Sequence, residues 1–330
     1  MKKVRIEWLD ILKGVLIIFV ILSHSYPAQA YRNFFTPFFL TMFFWVSGYT
    51  FSTKRTCKEF LKSKSMQLLI PFLLLGSIRI VLAQILEGGK LLLRIKGLLL
   101  QVNCKYDEMW FVACLISSSF LFYMLLKLCQ NIEKKYQDIV LLGISGVGMI
   151  LAMLDMCVWH IRILWQVELA LLMCFYMTLG YLYKQYEPQI VNKVEKFSYL
   201  SIMFLIYLFL AVCFPNNVDI HMEKFEQPVL FLVLSWLCIL PIVGMAKKVS
   251  NSIFLNRIFI FWGQNTLFYY AFGGSVRIVL YKLFGLENNS DVYMLPVICT
   301  VLTMFVLIIP AWFVRKFFPW MVGVKRSEPS

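Results

Sequence analysis

Long apolar runs separated by short clusters of charge organise this chain. A helix crossing a bilayer needs about 20 mostly apolar residues at 1.5 Å each. Ten stretches follow that pattern, at 9–27, 34–52, 67–86, 109–128, 138–155, 164–183, 197–214, 228–246, 264–283 and 293–314. The runs are continuous and lack the alternation of a barrel strand, so the pattern predicts an all-α polytopic membrane protein of about ten transmembrane helices. The fifth run carries Gly143, Gly146 and Gly148, and the ninth opens on the polar Gln264, Asn265 and Thr266. No internal repeat or low-complexity tract divides the chain, which reads as one integral-membrane domain over 1–330. Residues 88–100, GGKLLLRIKGLLL, set leucines along one broad helix face, and the pattern predicts a short helix lying in the outer interface. The alternative for that stretch is a mis-threaded pair of spans.

Composition supports the pattern. Sixty per cent of the residues are hydrophobic and 15% charged, against about 45–50% and about 25% in soluble domains. A chain of this size has too little interior to hide the excess from water, which excludes an ordinary soluble domain, a disordered chain and a secreted disulfide scaffold. The nine cysteines form no C-x-x-C pair, so they read as small buried apolar residues. The three histidines are far apart in the chain, and no metal centre is expected.

The net charge of +14 would suggest nucleic acid in a soluble chain. The positions of the charges point elsewhere. With the N-terminus in the cytoplasm, the inner segments collect Lys2, Lys3 and Arg5, then Lys54, Arg55, Lys58, Lys62 and Lys64, with further lysines and arginines in each later inner segment through Arg315 and Arg326. Outer loops hold few, among them Arg32, Arg162, Lys224 and Lys282. This asymmetry predicts a multi-pass protein of the cell membrane with both termini cytoplasmic and no nucleic-acid partner.

Charges inside spans are costly and face a cavity or a partner. Lys13 and His24 stand eleven residues apart in the first span. At 100° per residue they return to one helix face, separated by about 16 Å along the axis. Lys13 lies one turn inside the cytoplasmic boundary and His24 near the outer one. Two readings are open: a functional stripe, or a snorkelling lysine beside a histidine that caps the helix end. Asp10 is placed to neutralise Lys13 from the preceding turn. Arg79, Glu168 and Arg277 are further charges within spans, each a candidate for a structural ion pair or for a polar interior. Gln264, Asn265 and Thr266 read as a helix start, and Trp110, which follows Asp107 and Glu108, as an interface anchor. His160 and His221 fall in outer loops and receive no role.

These residues also fall in a familiar order. The opening RIEWLDILKGVLIIFVILSH, Arg5 to His24, resembles the start of the bacterial integral-membrane acyltransferase 3 family, with a basic residue, ten intervening residues and a histidine. FFLTMFFWVSGYTF resembles that family's aromatic run ending in Ser-Gly-Tyr, here Ser47, Gly48 and Tyr49. LLIPF with Pro71, MWFVACL with Trp110 and Phe111, and GQNTLFYY from Gly263 follow in the family's order. Three departures stand out. Phe38-Phe39-Leu40-Thr41 lacks the histidine of a frequent Phe-His-Met-Pro, Ala271 to Gly274 lacks a late histidine, and Lys13 stands where arginine is common.

The resemblance implies an O-acyltransferase that moves an acyl group, usually acetyl, from cytoplasmic acetyl-CoA to a sugar hydroxyl of a cell-surface polysaccharide or its lipid-linked precursor. Acyl-CoA is then a donor co-substrate, with no permanently bound cofactor. The partners implied are acyl-CoA, the envelope sugar and the bilayer. It implies that His24 is catalytic, as base or as transient acyl carrier, and that Lys13, with Arg79 and Trp110, holds the donor. Asp10, Glu168, Gln264, Asn265 and Arg277 are the further candidates for lining the site. Rival readings are a transporter or flippase of an envelope precursor, and a non-catalytic membrane sensor on the same fold.

Overall fold

The first helix is the hub of the bundle. In the computed structural model, which describes residues 6–25, 27–102, 109–193, 196–250, 253–284 and 294–324, α1 (Glu7–Ser23) buries Leu9, Ile11, Leu12, Leu16, Ile17, Val20 and Ile21. Apolar residues surround it, so its neighbours are protein on several sides and not lipid alone. The neighbours are α2 (Gln29–Phe39), α3 (Thr41–Tyr49), α11 (Pro228–Val249), α12 (Ile253–Gln264), α13 (Thr266–Phe284) and α14 (Leu295–Val306). Farther out stand α4 (Cys57–Lys64), α5 (Ile70–Glu87), α6 (Leu91–Leu100), α7 (Trp110–Cys129), α8 (Lys134–Leu154), α9 (Val167–Lys193), α10 (Phe197–Cys213) and α15 (Ile308–Phe317). A single two-residue ladder, β1 (Val218–Asp219) against β2 (Lys224–Phe225), is the sheet content among the described residues.

Two glycine pairs set the closest crossings. A Cβ on Gly14 would drive into the Phe259 carbonyl, and one on Gly263 into the carbonyl of Asp10. Likewise, Gly48 meets the backbone of Met177, and Gly180 that of Trp45. Small residues that let backbones touch are the usual currency of helix association in lipid, where hydrophobic burial between helices supplies little drive. Thus α1 seats α12, and α3 seats α9.

A polar knot locks the same helices at one end. The Tyr49 hydroxyl donates to Glu187 Oε2 at 2.5 Å. Lys247 Nζ pairs with Glu187 Oε1 at 2.9 Å and donates to the Tyr183 hydroxyl at 2.7 Å. The same ammonium lies over the Trp8 ring at 5.3 Å, so α1, α3, α9 and α11 meet in one cluster.

Six helical stretches among the described residues are long and apolar enough to cross a membrane: Cys57–Glu87, Trp110–Cys129, Lys134–Trp159, Leu164–Val191, Pro228–Val249 and Leu295–Phe317. The other four predicted runs are helical too, but shorter, broken or more polar. The run at 34–52 divides at Leu40, because Pro37 has no N–H and the Thr41 hydroxyl donates to the Pro37 and Phe38 carbonyls at 3.0 and 3.2 Å. The run at 264–283 is preceded by α12, a helix that the sequence pattern hides in an inner loop. The third run is longer than expected. α4 passes through a π-helical turn, Ser65–Leu69, into α5. The helix expected within 88–100 forms as α6, with Leu92 and Leu99 exposed and Arg94 turned inward to Glu87 at 2.9 Å. The terminal basic residues used in the orientation reading, and Asp107 and Glu108, lie outside the described residues.

The glycine contacts carry a stability prediction. Gly263→Ala forces α1 and α12 apart and costs about 1–3 kcal/mol, read as a lowered thermal midpoint of the detergent-purified protein. Gly143→Ala, where a Cβ meets nothing within 4 Å, leaves the midpoint unchanged or raises it, since alanine outranks glycine by about 1 kcal/mol in a helix.

Candidate functional site

The stripe on α1 faces a row of cavities. Lys13 lines one of about 220 Å³ whose walls are mainly apolar, among them Ile17, Phe43, Phe111, Leu115 and Leu267, with Ser47, Gln67 and Thr266 as polar members. Its ammonium pairs with Asp10 at 2.7 Å, the local neutralisation that i,i+3 spacing allows. His24 lines a second cavity of about 240 Å³, together with Arg32, Thr36, Phe39, Trp110, Asp219, His221 and Tyr270. Val20 and Tyr270 belong to both linings. On the other side of Lys13, a third cavity of about 240 Å³ shares Ser47, Gln67, Leu68 and Leu115 and ends on Arg55 and Lys64. From Arg55 to His24 the three therefore adjoin, each sharing walls with the next.

His24 is the C-cap residue of α1, its backbone amide donating to the Val20 carbonyl at 3.4 Å, while its side chain lines the cavity. Ser23 Oγ donates to the Val20 carbonyl at 2.8 Å and Ser25 Oγ to the Ile21 carbonyl at 3.1 Å. Arg79 and Arg277 belong to none of the three linings. Arg79 Nη1 donates to the carbonyls of Tyr270 and Ala271 at 3.3 and 3.2 Å, which fixes α5 against α13, and Arg277 lies over the Tyr281 ring. Trp110 is an inner wall, stacked on His221 with ring centres 4.8 Å apart and planes 20° from parallel. Next to it, the Phe111 amide donates to the Tyr270 hydroxyl at 3.2 Å. The segments MWFVACL and GQNTLFYY, distant in sequence, thus meet at this wall.

Several expected members lie elsewhere. Glu168, at the start of α9, is buried and accepts the Ile163 amide at 3.2 Å. It serves a local turn and is in none of the three linings. Gln264 and Asn265 are not in the linings either. The Gln264 carbonyl accepts from Arg315 at 2.6 Å. Asn265 turns its amide back to the Phe261 carbonyl at 2.7 Å, while its own carbonyl receives the Phe268 and Tyr269 amides. It shapes the joint between α12 and α13, and the next residues, Thr266 and Tyr270, reach the cavities. The Ser-Gly-Tyr motif likewise divides its labour: Ser47 lines two cavities, while Gly48 and Tyr49 hold α3 on α9.

Sequence reasoning passed over His221, Arg32, Asp219, Tyr270 and Gln67. His221 sits in a loop, where no periodicity marks a face. The one available signal for Gln67 and Lys64 was their place beside Pro71 at the end of a basic segment. A separate groove of about 320 Å³ between α10 and α11, lined mainly by apolar residues such as Leu200, Phe204, Pro241 and Met245 with Ser201 and Lys248, shares none of these residues.

No curated protein and no solved structure matches the chain. The acyltransferase 3 family model, described as an acyltransferase domain, matches residues 6–315. A match over nearly the whole chain, on a bundle of apolar helices, makes this a multi-pass membrane protein that belongs to the acyltransferase 3 family.

Proposed function

We propose that this chain transfers an acyl group, acetyl foremost, from cytoplasmic acyl-CoA to a sugar hydroxyl of a cell-surface polysaccharide or its lipid-linked precursor. The observation that carries the reading is the row of adjoining cavities from Arg55 and Lys64, past Lys13, to His24. Its chemistry changes along the way as acyl-CoA does. A nucleotide end with phosphates suits two cations in a polar pocket. A slender, weakly polar pantetheine arm suits the mainly apolar middle cavity. The thioester then arrives beside an imidazole. The rise from Lys13 to His24, about 16 Å, is of the order an extended pantetheine arm spans.

A sugar hydroxyl is a weak nucleophile at neutral pH, so its proton must have an acceptor as the bond forms. In this reading the hydroxyl oxygen attacks the thioester carbon and its proton passes to His24. The carbonyl oxygen gains charge as the C–O bond forms. The C–S bond then breaks, the acyl ester is complete, and the thiolate of CoA takes the proton back from His24. Lys13, tied to Asp10, steers the donor and takes no part in bond making.

Two measurements test the scheme. His24→Ala lowers incorporation of radiolabelled acetyl groups into the glycan fraction by at least about 100-fold, the lower end of what a positioned acid–base group contributes; transfer at the wild-type rate removes His24 from the chemistry. Arg55→Ala and Lys64→Ala each raise the KM for acetyl-CoA by about tenfold, as expected for a lost charge-assisted hydrogen bond, and leave the KM for acetyl-pantetheine, which has no nucleotide, unchanged. Equal effects on both donors dismiss the nucleotide-end assignment.

A further inference from the structure

The outer cavity holds a second imidazole on a different element from the first. His24 comes from the end of α1, and His221 from the tip of the hairpin formed by β1 and β2. The hairpin is held at several points. Asn216 and Gln227 exchange two hydrogen bonds at 2.9 Å across its base. Arg32 donates to the Val218 carbonyl at 3.5 Å, and the buried Glu223 pairs with Arg162. Val218 and Ile220 are buried. At the tip the chain turns sharply, with Glu223 in the left-handed region at φ 53° and its amide on the Ile220 carbonyl. His221 projects from this turn onto the Trp110 ring.

We infer that His221 is an acceptor-contacting residue of this site, holding the sugar hydroxyl opposite His24. The inference rests on the acyl-transfer reading above and deepens it. Donor-side groups, Lys13, Ser47 and Gln67, approach His24 from one direction; His221 belongs only to the last cavity, at the far end of the row from Arg55 and Lys64. An imidazole carries two ring nitrogens able to hydrogen-bond, and one is enough to orient a hydroxyl so that its proton points at His24. Stacking on Trp110 fixes the ring plane, and the anchored hairpin fixes its position, so orientation is prepaid before the acceptor arrives. Bond changes are those already described: C–O forms, the hydroxyl proton goes to His24, and C–S breaks. His221 holds the oxygen without taking the proton.

The test uses the full-length protein in detergent with radiolabelled acetyl-CoA and, as acceptor, the total glycan extract of cells that carry the chain. Label in glycan and thiol release without glycan are followed in parallel. His221→Ala and His221→Phe both raise the half-saturating glycan concentration by about tenfold, with a much smaller change in the KM for acetyl-CoA. The phenylalanine keeps the stack on Trp110, so its loss reports the ring nitrogens and not the packing. His221→Gln, which keeps a hydrogen-bonding group, recovers part of the loss, and His160→Ala, at an exposed outer-loop position, changes nothing. Wild-type acceptor dependence in His221→Phe overturns the inference and leaves the acyl-transfer reading standing. Wild-type protein that neither labels glycan nor releases thiol overturns both.

Discussion

The contact on which the rest of the structure depends is the backbone-to-backbone meeting of α1 and α12 at Gly14 and Gly263. With no side chain on either partner, Asp10 and Phe259 can offer their carbonyls to the facing helix. That fixes α12, and Asn265 then sets how α13 leaves it, with its side chain bonded backward and its carbonyl forward. From there, Thr266 and Tyr270 fall on the side of α1 that carries Lys13 and His24. Tyr270 also receives the Phe111 amide and, through its carbonyl, Arg79. One crossing without side chains therefore brings four segments to a common wall.

Charges inside this bundle obey the same economy. A charged group in an apolar interior is costly unless paired or hydrated. Asp10 holds Lys13, Glu187 holds Lys247, Glu223 holds Arg162, and backbone carbonyls at a helix face hold Arg79. Each pairing also ties two elements together or fixes one turn of a helix. Lys13 is paired within α1 and also lines a cavity. The outer faces of the bundle remain apolar, as Leu92, Ile139, Val212 and Ile309 show.

What was legible in the sequence followed from helical geometry. Apolar runs placed the main helices, and 100° per residue placed Lys13 and His24 on one stripe. Spacing also suggested the Asp10–Lys13 pair. What escaped needed tertiary information. α12 is amphipathic and carries Asn256 and Arg257, so by hydropathy it merges with an inner loop. Glu168 looked like a buried site charge because its partner, the Ile163 amide, is a backbone group that only the fold reveals. Asn265 had the composition of a cap, but its side chain serves the helix before it. His221 lay in a stretch without periodicity, and its importance depends on the turn that folds it onto Trp110.

The departures from the family pattern acquire a physical meaning from the same wall. Phe39, where a histidine is frequent, lines the His24 cavity beside Leu40. Gly273, in the stretch that lacks the late histidine, packs against the end of the Ile21 side chain. Neither stretch has a second imidazole to offer here: Phe39 puts an aromatic ring on the cavity wall, and Ala271 to Gly274 carry no histidine. The hairpin tip, which belongs to neither helix, reaches the same cavity from outside and brings His221. Phe39 and His221 thus line one space from different elements, so an imidazole absent from α2 is not absent from the cavity. The second imidazole of this cavity therefore sits on a loop, the part of a fold that varies most readily.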